Sequence, residues 1–217
     1  MPGVNKLLRG VACLLFVCLQ SCASTEHMAS IGGCNGALPK GARVLVREGE
    51  GMPQQLSYEL YLKAKEQLAA GGLKPDYAVE QDMELRMKGV LPHTPLDSLQ
   101  LAKLGQLGYD FVMQVNLLGK REANGYNYVS AHERQAYGDS YQLAGDVTQV
   151  TLQFLLYDPQ RQEQIYTLNT VTKIEPLTRT DSEGGEKRTN YASVEMALQK
   201  AIRKGTEKLL QDCRCCL

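Results

Sequence analysis

Leu99-Gln-Leu-Ala-Lys-Leu-Gly-Gln-Leu-Gly-Tyr-Asp-Phe-Val-Met-Gln-Val115 is the stretch of sequence that decides the fold. Its first half carries leucines at helical spacing and ends at Gly108. Its second half is apolar and continues to Leu117, as in a buried strand. The helix is predicted to begin near Thr94, with Pro95 in its first turn. The stretch therefore predicts a helix that leads directly into a strand of a sheet.

The segments on either side continue the alternation of strands and helices. Upstream, the pattern predicts a strand over 43–47, a helix between Pro53 and Gly71, a short strand over 77–80 and a helix over 81–88. Downstream, it predicts a hairpin of strands over 147–157 and 164–174, a polar loop over 175–189 and a helix over 190–211. This order predicts an α/β (α+β) fold, with a single mixed sheet of about five strands, packed helices and a long C-terminal helix.

The first residues of the chain are typical of an export signal. A basic start precedes an apolar run that ends at Leu19, and this run is shorter than the roughly 20 residues that span a bilayer. Leu19-Gln-Ser-Cys22 then resembles the lipobox of bacterial lipoproteins. By that resemblance, Cys22 carries a covalent diacylglycerol and an N-acyl lipid, and no other cofactor is expected. An ordinary signal peptide with an accidental cysteine is the alternative.

The position of Cys22 divides the chain. We expect a signal peptide over 1–21, a lipidated flexible tether over 22–41, one α/β periplasmic domain over 42–212 and a cysteine-rich tail over 213–217. Several acyl chains on one cysteine would hold the protein on a membrane almost permanently. Ala23 lacks the aspartate that favours inner-membrane retention in enterobacteria. By resemblance, the periplasmic face of the outer membrane is therefore the expected location.

The charge balance argues against a nucleic-acid partner. Removing residues 1–21 takes away only Lys6 and Arg9, and leaves 22 basic and 24 acidic residues. Nucleic-acid binding requires a clustered basic surface, which a nearly neutral chain does not suggest.

The cysteines after Cys22 lie near the two ends of the mature chain. Cys34 is a candidate for a disulfide with Cys213, Cys215 or Cys216 if the termini meet, because disulfides persist outside the cytoplasm. A soft-metal site at the C-terminus is the weaker alternative, since it lacks C-x-x-C spacing and a nearby histidine. No metal is therefore expected.

A search for catalytic motifs finds none. His27, His93 and His132 show no metal-ligand spacing, and no nucleophile elbow or phosphate loop is present. Ser130, His132 and Asp139 can be drawn as a triad, but polar segments collect such residues without the geometry that catalysis needs. We therefore expect a protein without catalytic residues, which is not an enzyme.

Tyrosines are dense between residues 118 and 146. Tyr126, Tyr128, Tyr137 and Tyr141 lie among glycines, polar residues and charges. In one interpretation they cover the outer side of twisted strands. In the other, together with Arg134, they form a surface that docks an envelope protein, because tyrosine buries a large area and keeps a polar tip.

The decisive stretch also resembles a known family. Its order of helix, Gly-x-Asp and apolar strand is similar to the periplasmic lipoprotein superfamily of the curli-secretion lipoprotein CsgG and the penicillin-binding-protein activator LpoB. Phe154-Leu-Leu-Tyr-Asp158, followed by Ile165-Tyr-Thr, resembles the strand, turn and strand that come next in that family. The resemblance covers about residues 42–211. The polar stretch 121–146 departs from the membrane-crossing hairpin of the pore-forming members.

The resemblance implies a function class. It implies a non-catalytic, membrane-anchored lipoprotein that binds an envelope partner, either a cell-wall synthase or a secretion and assembly machine. A self-assembling ring in an outer-membrane export channel, and hence a homo-oligomer, is the alternative. An envelope hydrolase is a third hypothesis, for which the sequence shows no acid pair or nucleophile.

The docking hypothesis predicts the effect of a double substitution. Tyr126→Ala with Tyr128→Ala should weaken capture of an envelope partner and leave the domain folded, because it removes aromatic contact area only. Partner pull-down and circular dichroism of the variant measure the two effects. Loss of folding would instead favour the interpretation in which the tyrosines are structural.

Overall fold

The chain forms two β-sheets and five helices within the residues that a computed structural model describes, which are 23–30, 34, 38–91, 94–137 and 144–213. The strands are β1 (Ala23–Ser30), β2 (Arg43–Arg47), β3 (Lys74–Tyr77), β4 (Phe111–Arg121), β5 (Gly125–Val129), β6 (Thr148–Asp158), β7 (Glu163–Ile174), β8 (Leu177–Thr180) and β9 (Glu186–Asn190). The helices are α1 (Gln54–Ala70), α2 (Asp82–Met87), α3 (Ser98–Gln106), α4 (Ala131–Tyr137) and α5 (Val194–Asp212), and a 3-10 turn covers Ala144–Asp146.

The larger sheet is mixed and has the strand order β1-β7-β6-β4-β2-β3. Strands β2, β3 and β4 are parallel, whereas β4, β6, β7 and β1 pair antiparallel. The α/β class with a long C-terminal helix is therefore confirmed. The sheet has six strands rather than about five, and β5, β9 and β8 form a second sheet.

Helices cover both faces of the parallel part of the sheet. Helices α1 and α5 pack on one face, where Val46, Met113 and Phe154 are buried in the main core. Leu45 and Val112 point to the opposite face, where they form a smaller core with α2 and α3. Because neighbouring strand residues alternate between faces, the continuous apolar runs of β2 and β4 are explained by this double cover.

Helix α5 approaches the sheet very closely at one residue. A Cβ atom added to Gly205 would lie 2.2 Å from the ring of Phe154 on β6. Phe154 is fully buried, and buried Ala201 and Ile202 flank the same helical surface. The absence of a side chain at Gly205 therefore lets a large aromatic ring fill the space between helix and sheet.

The prediction of a flexible tether over 22–41 is wrong for residues 23–30. These residues form β1, which pairs with β7 from Ala23 opposite Ile174 to Ser30 opposite Thr167. The hydroxyls of Thr25 and Thr172 are also 3.2 Å apart and hydrogen-bonded. Backbone pairing with a buried neighbour orders a segment whose polar side chains give no strand signal.

Three segments also differ from the sequence-based prediction. The strand predicted over 77–80 lies three residues earlier, as β3 (Lys74–Tyr77). Asp97 rather than Thr94 caps α3, because its carboxylate accepts a hydrogen bond from the N–H of Gln100 at 2.7 Å. The segment 175–189 was predicted to be a polar loop, but it contains β8 and most of β9. Pairing within the second sheet provides the order that the polar sequence does not suggest.

A disulfide joins the two ends of the domain. Cys34 is bonded to Cys213, with Cα atoms 4.9 Å apart, and the N–H of Leu38 donates to the carbonyl of Cys213 at 3.0 Å. The sequence left three partners open for Cys34, and Cys215 and Cys216 lie outside the described residues. Cys213 is buried at the end of α5 and belongs to the folded domain rather than to a tail.

The close helix approach predicts the outcome of Gly205→Ala. Alanine gains about 1 kcal/mol in helix propensity, but overpacking against Phe154 costs about 1–3 kcal/mol. We expect a lower urea midpoint for this variant. Gly119→Ala is the matched control, since a Cβ there meets no atom within 4 Å. Equal midpoints for the two variants would contradict the packing assignment.

Candidate docking surface

The second sheet gathers aromatic, apolar and cationic side chains on one face. In its register, Tyr126 lies opposite Thr189 and Thr189 opposite Leu177, while Tyr128 lies opposite Lys187 and Lys187 opposite Arg179. Directly opposite residues point to the same side of a sheet, and so do residues two apart along a strand. We call the resulting surface the outer face: Tyr126, Tyr128, Leu177, Arg179, Lys187 and Thr189.

The outer face is open to solvent. Tyr126 is 54% exposed, Tyr128 42% and Leu177 68%. Tyr191, which follows β9, is 79% exposed, and its ring lies against the backbone of Gly125 at one end of the sheet. Three of the four exposed tyrosines in the described part of the chain therefore lie on or beside this sheet.

The phenol of Tyr128 is held at the rim of the outer face. It donates a hydrogen bond to the carboxylate of Asp181 at 3.1 Å. This hydrogen bond, together with some desolvation, raises the pKa of Tyr128. Asp181 also accepts from the N–H of Gly185 at 2.9 Å, so the turn between β8 and β9 fixes the position of the ring.

The opposite, inner face of the second sheet is buried and ionic around Arg188. Arg188 contacts the Asp146 carboxylate at 3.1 Å and the Glu186 carboxylate at 2.9 Å. Burial alone would lower the pKa of Arg188, but the hydrogen bonds to Glu186 and Asp146 outweigh it and raise that pKa. Arg134 of α4 reaches Glu186 at 3.3 Å. The 3-10 turn and α4 therefore cover the part of the inner face around Arg188, whereas Thr178 and Thr180 of β8 stay exposed on that side.

Side-chain hydrogen bonds clamp the second sheet to one end of the larger sheet. The buried amide of Asn190 donates to the carbonyl of Ile174 at 2.8 Å and to that of Asp146 at 2.9 Å. The hydroxyl of Thr148 donates to the carbonyl of Ala192 at 2.7 Å. Ile174 is also the residue opposite Ala23, so this clamp lies beside the start of β1.

The structure brings together only part of the docking surface that the sequence predicts. Tyr126 and Tyr128 are neighbours on the outer face, whereas Arg134 lies on the inner side with Glu186. Tyr137 ends α4, but its side chain, like Tyr141, lies outside the described residues. Leu177, Arg179 and Lys187 could not be predicted from local sequence, because only the long-range pairing of β5 with β9 places them beside the tyrosines.

Ser130 has a structural role that its sequence spacing could have revealed. Its hydroxyl donates to the Glu133 carboxylate at 2.7 Å, and the N–H of Glu133 donates back to that hydroxyl at 3.3 Å. This is the capping box of a Ser-x-x-Glu motif at the start of α4. The hydrogen bonds from the backbone and side chain of Ser130 lower the pKa of Glu133. Asp139, the third member of the triad considered above, lies outside the described residues.

Two searches of the described residues add facts about metals and membranes. The described ranges contain no group of three or more His, Cys, Asp or Glu side chains that could hold a metal ion. None of the described helices, α1 to α5, is both long and apolar enough to cross a membrane.

A second concave surface lies between α1 and α5. Its volume is about 460 Å³, and its lining includes Lys63 and Glu66 from α1 and Lys200 and Arg203 from α5. Burial and the nearby charges of Arg203 and Lys204 lower the pKa of Lys200. Arg203 is paired with Glu207 at 3.3 Å. Since charged residues of both signs line this groove, whereas the outer face gathers aromatic side chains with two cations, the outer face is the stronger candidate for docking.

Comparisons with known proteins identify no family for the chain. No protein-family model matches the chain, and no curated protein matches it. A PelC dodecamer structure from Paraburkholderia phytofirmans is similar, with 12% identity over 87% of this chain and 97% of that one and a TM-score of 0.43. Lipoprotein GNA1162 from Neisseria meningitidis shares 18% identity over 60% of this chain and 82% of that one, with a TM-score of 0.39. Likenesses this distant assign the chain neither a family nor a partner.

The buried ion network predicts the effect of Arg188→Ala. This change leaves the Asp146 carboxylate buried without its cation, which typically costs about 3–5 kcal/mol. Thermal unfolding should show a large loss of stability. Arg179→Ala on the outer face of the same sheet is the control, and its effect should stay within about 0.5 kcal/mol. Similar unfolding temperatures for both variants would contradict the network's structural role.

Proposed function

We propose that this chain is a non-catalytic accessory lipoprotein of the bacterial envelope, anchored by lipid on Cys22, that binds and supports an envelope partner. The observation that carries the proposal is the β1–β7 ladder, which already includes Ala23, the residue directly after the lipobox cysteine. Processing immediately before Cys22 leaves every described pair of this ladder in place, whereas cleavage a few residues later would remove some of them. A cut at the lipobox is therefore compatible with the fold.

The disulfide supports an exported location. Cys34 and Cys213 are 179 residues apart in sequence, yet the fold brings their Cα atoms to 4.9 Å. Disulfides of this kind persist in oxidising compartments such as the periplasm and are rare in the cytosol. Export is also what the signal-like N-terminus indicates.

The anchor suggests how an accessory protein of this kind works. Attachment to a membrane confines the domain to a thin layer, and this raises its effective concentration for partners in the same layer. The family resemblance favours a cell-wall synthase or a secretion and assembly machine as partner. The periplasmic face of the outer membrane is the location we propose, since Ala23 lacks the aspartate that signals retention.

Self-assembly into a ring is the second candidate function, and one structural feature favours it. β1 is an edge strand of eight residues that contains no proline, so its outer edge offers a row of backbone N–H and C=O groups. At the opposite edge, β3 has only four residues and contains Pro75. A second copy that extends the sheet would therefore add to β1.

The mass of the full-length protein, extracted from its own membranes in mild detergent, tests the proposal. We expect a monomer or dimer that co-purifies with one envelope protein. Cys22→Ser is the matched control: it should abolish incorporation of labelled fatty acid and release the protein from membranes. A large, regular oligomer without a second protein would favour the ring. Unchanged membrane attachment and labelling of Cys22→Ser would contradict lipidation at this residue.

A further inference from the structure

The outer face lies close to the point at which lipid would attach. Antiparallel partners have Cα atoms about 5 Å apart, so Ala23, the residue after the proposed lipid attachment point, lies about 5 Å from Ile174. Leu177 follows Ile174 by three residues, which places it within about 17 Å of Ala23. The outer face therefore begins near the anchor.

Backbone pairing and a buried hydrogen bond connect Ala23, the residue after the proposed anchor, to the second sheet. Ala23 is paired with Ile174 in the β1–β7 ladder, and the Ile174 carbonyl accepts the Asn190 amide at 2.8 Å. Asn190 is the last residue of β9, the central strand of the second sheet. A lipid on Cys22 places that residue at the headgroup layer, so the second sheet is held beside the same layer rather than at the end of a long tether.

The chemistry of the outer face fits a bilayer surface. Tyrosines are enriched at membrane interfaces, where the ring meets apolar material and the hydroxyl meets water. Tyr126, Tyr128 and Leu177 provide such groups on the outer face, and Tyr191 adds another at its end. These side chains are exposed in the free domain and would be buried by contact with lipid.

The two cations of the outer face also fit a phospholipid surface. Arg179 and Lys187 lie directly opposite each other, and like charges in this position repel. Neither side chain makes an ion pair within the described part of the chain, although Asp181 and Glu183 occupy the turn at the far end of the sheet. Phosphate groups of a lipid surface would relieve the repulsion.

We infer that the outer face is a membrane-contact surface, which seats the domain on the headgroup layer of the bilayer that holds the Cys22 lipid. This inference rests on the lipid anchor of the proposed function and adds an orientation to it. The second sheet faces the membrane, while α1, α2 and α3 remain accessible to envelope partners. A protein partner on the outer face is the competing outcome.

The composition of the chain provides a direct test, because the sequence contains no tryptophan. Tyr126→Trp introduces a single emitter on the outer face, and Tyr58→Trp introduces one at a similarly exposed tyrosine of α1. Each full-length lipidated variant is placed in vesicles of phosphatidylethanolamine and phosphatidylglycerol with brominated acyl chains. We expect brominated lipid to quench Tyr126→Trp about twofold or more, as for tryptophan at an interface, and to leave Tyr58→Trp unchanged.

The cations are tested by charge reversal in the Tyr126→Trp background. Arg179→Glu with Lys187→Glu should reduce the quenching. Both residues are exposed, so the circular dichroism spectrum should show that the fold persists.

Flotation of the vesicles distinguishes failure of the lipid anchor from failure of the membrane contact. A protein that fails to float contradicts the lipid anchor. A protein that floats, but whose Tyr126→Trp emission is as insensitive to brominated lipid as that of Tyr58→Trp, overturns the inference and favours a protein partner on the outer face.

Discussion

The ladder between β1 and β7 joins eight residue pairs, from Ala23 opposite Ile174 to Ser30 opposite Thr167. This ladder determines where the N-terminal segment lies. A segment that would otherwise be a free linker is held at the edge of the sheet from Ala23 onward. The Cys34–Cys213 disulfide then joins the segment after β1 to the end of α5. The lipid anchor that we propose at Cys22 would therefore be followed directly by ordered structure.

Further contacts connect the β1–β7 ladder to the second sheet. The close approach of Gly205 to Phe154 packs α5 against the strand that neighbours β7, which fixes the sheet on which β1 depends. At the end of β7, the amide of Asn190 connects the Ile174 carbonyl to β9. The Arg188, Asp146 and Glu186 network closes the inner face of the second sheet. What stays open is a face with tyrosines, one leucine and two cations.

The sequence predicts the fold well where local patterns are strong and poorly where order comes from distant pairing. The apolar periodicity of 99–117 and the stripe of α5 predict a strand and two helices close to their observed bounds. β1, β8 and β9 are polar. β1 becomes a strand because it pairs with β7, and the β8–β9 hairpin is ordered because β9 pairs with β5, in each case far away in sequence. For the same reason, Tyr126 and Tyr128 were predicted as a docking site, whereas Leu177, Arg179 and Lys187 beside them were not.

With the proposed lipid on Cys22, the β1 ladder would mount the domain directly on its anchor. Neutron reflectometry of the full-length lipidated protein on a supported bilayer measures the separation between the headgroup layer and the folded domain. A protein layer in direct contact with the headgroups, without an intervening layer of water, is the result that the β1 ladder predicts. A hydrated gap near the 25 Å or so that a flexible chain from Ala23 to Gly41 would span would contradict it.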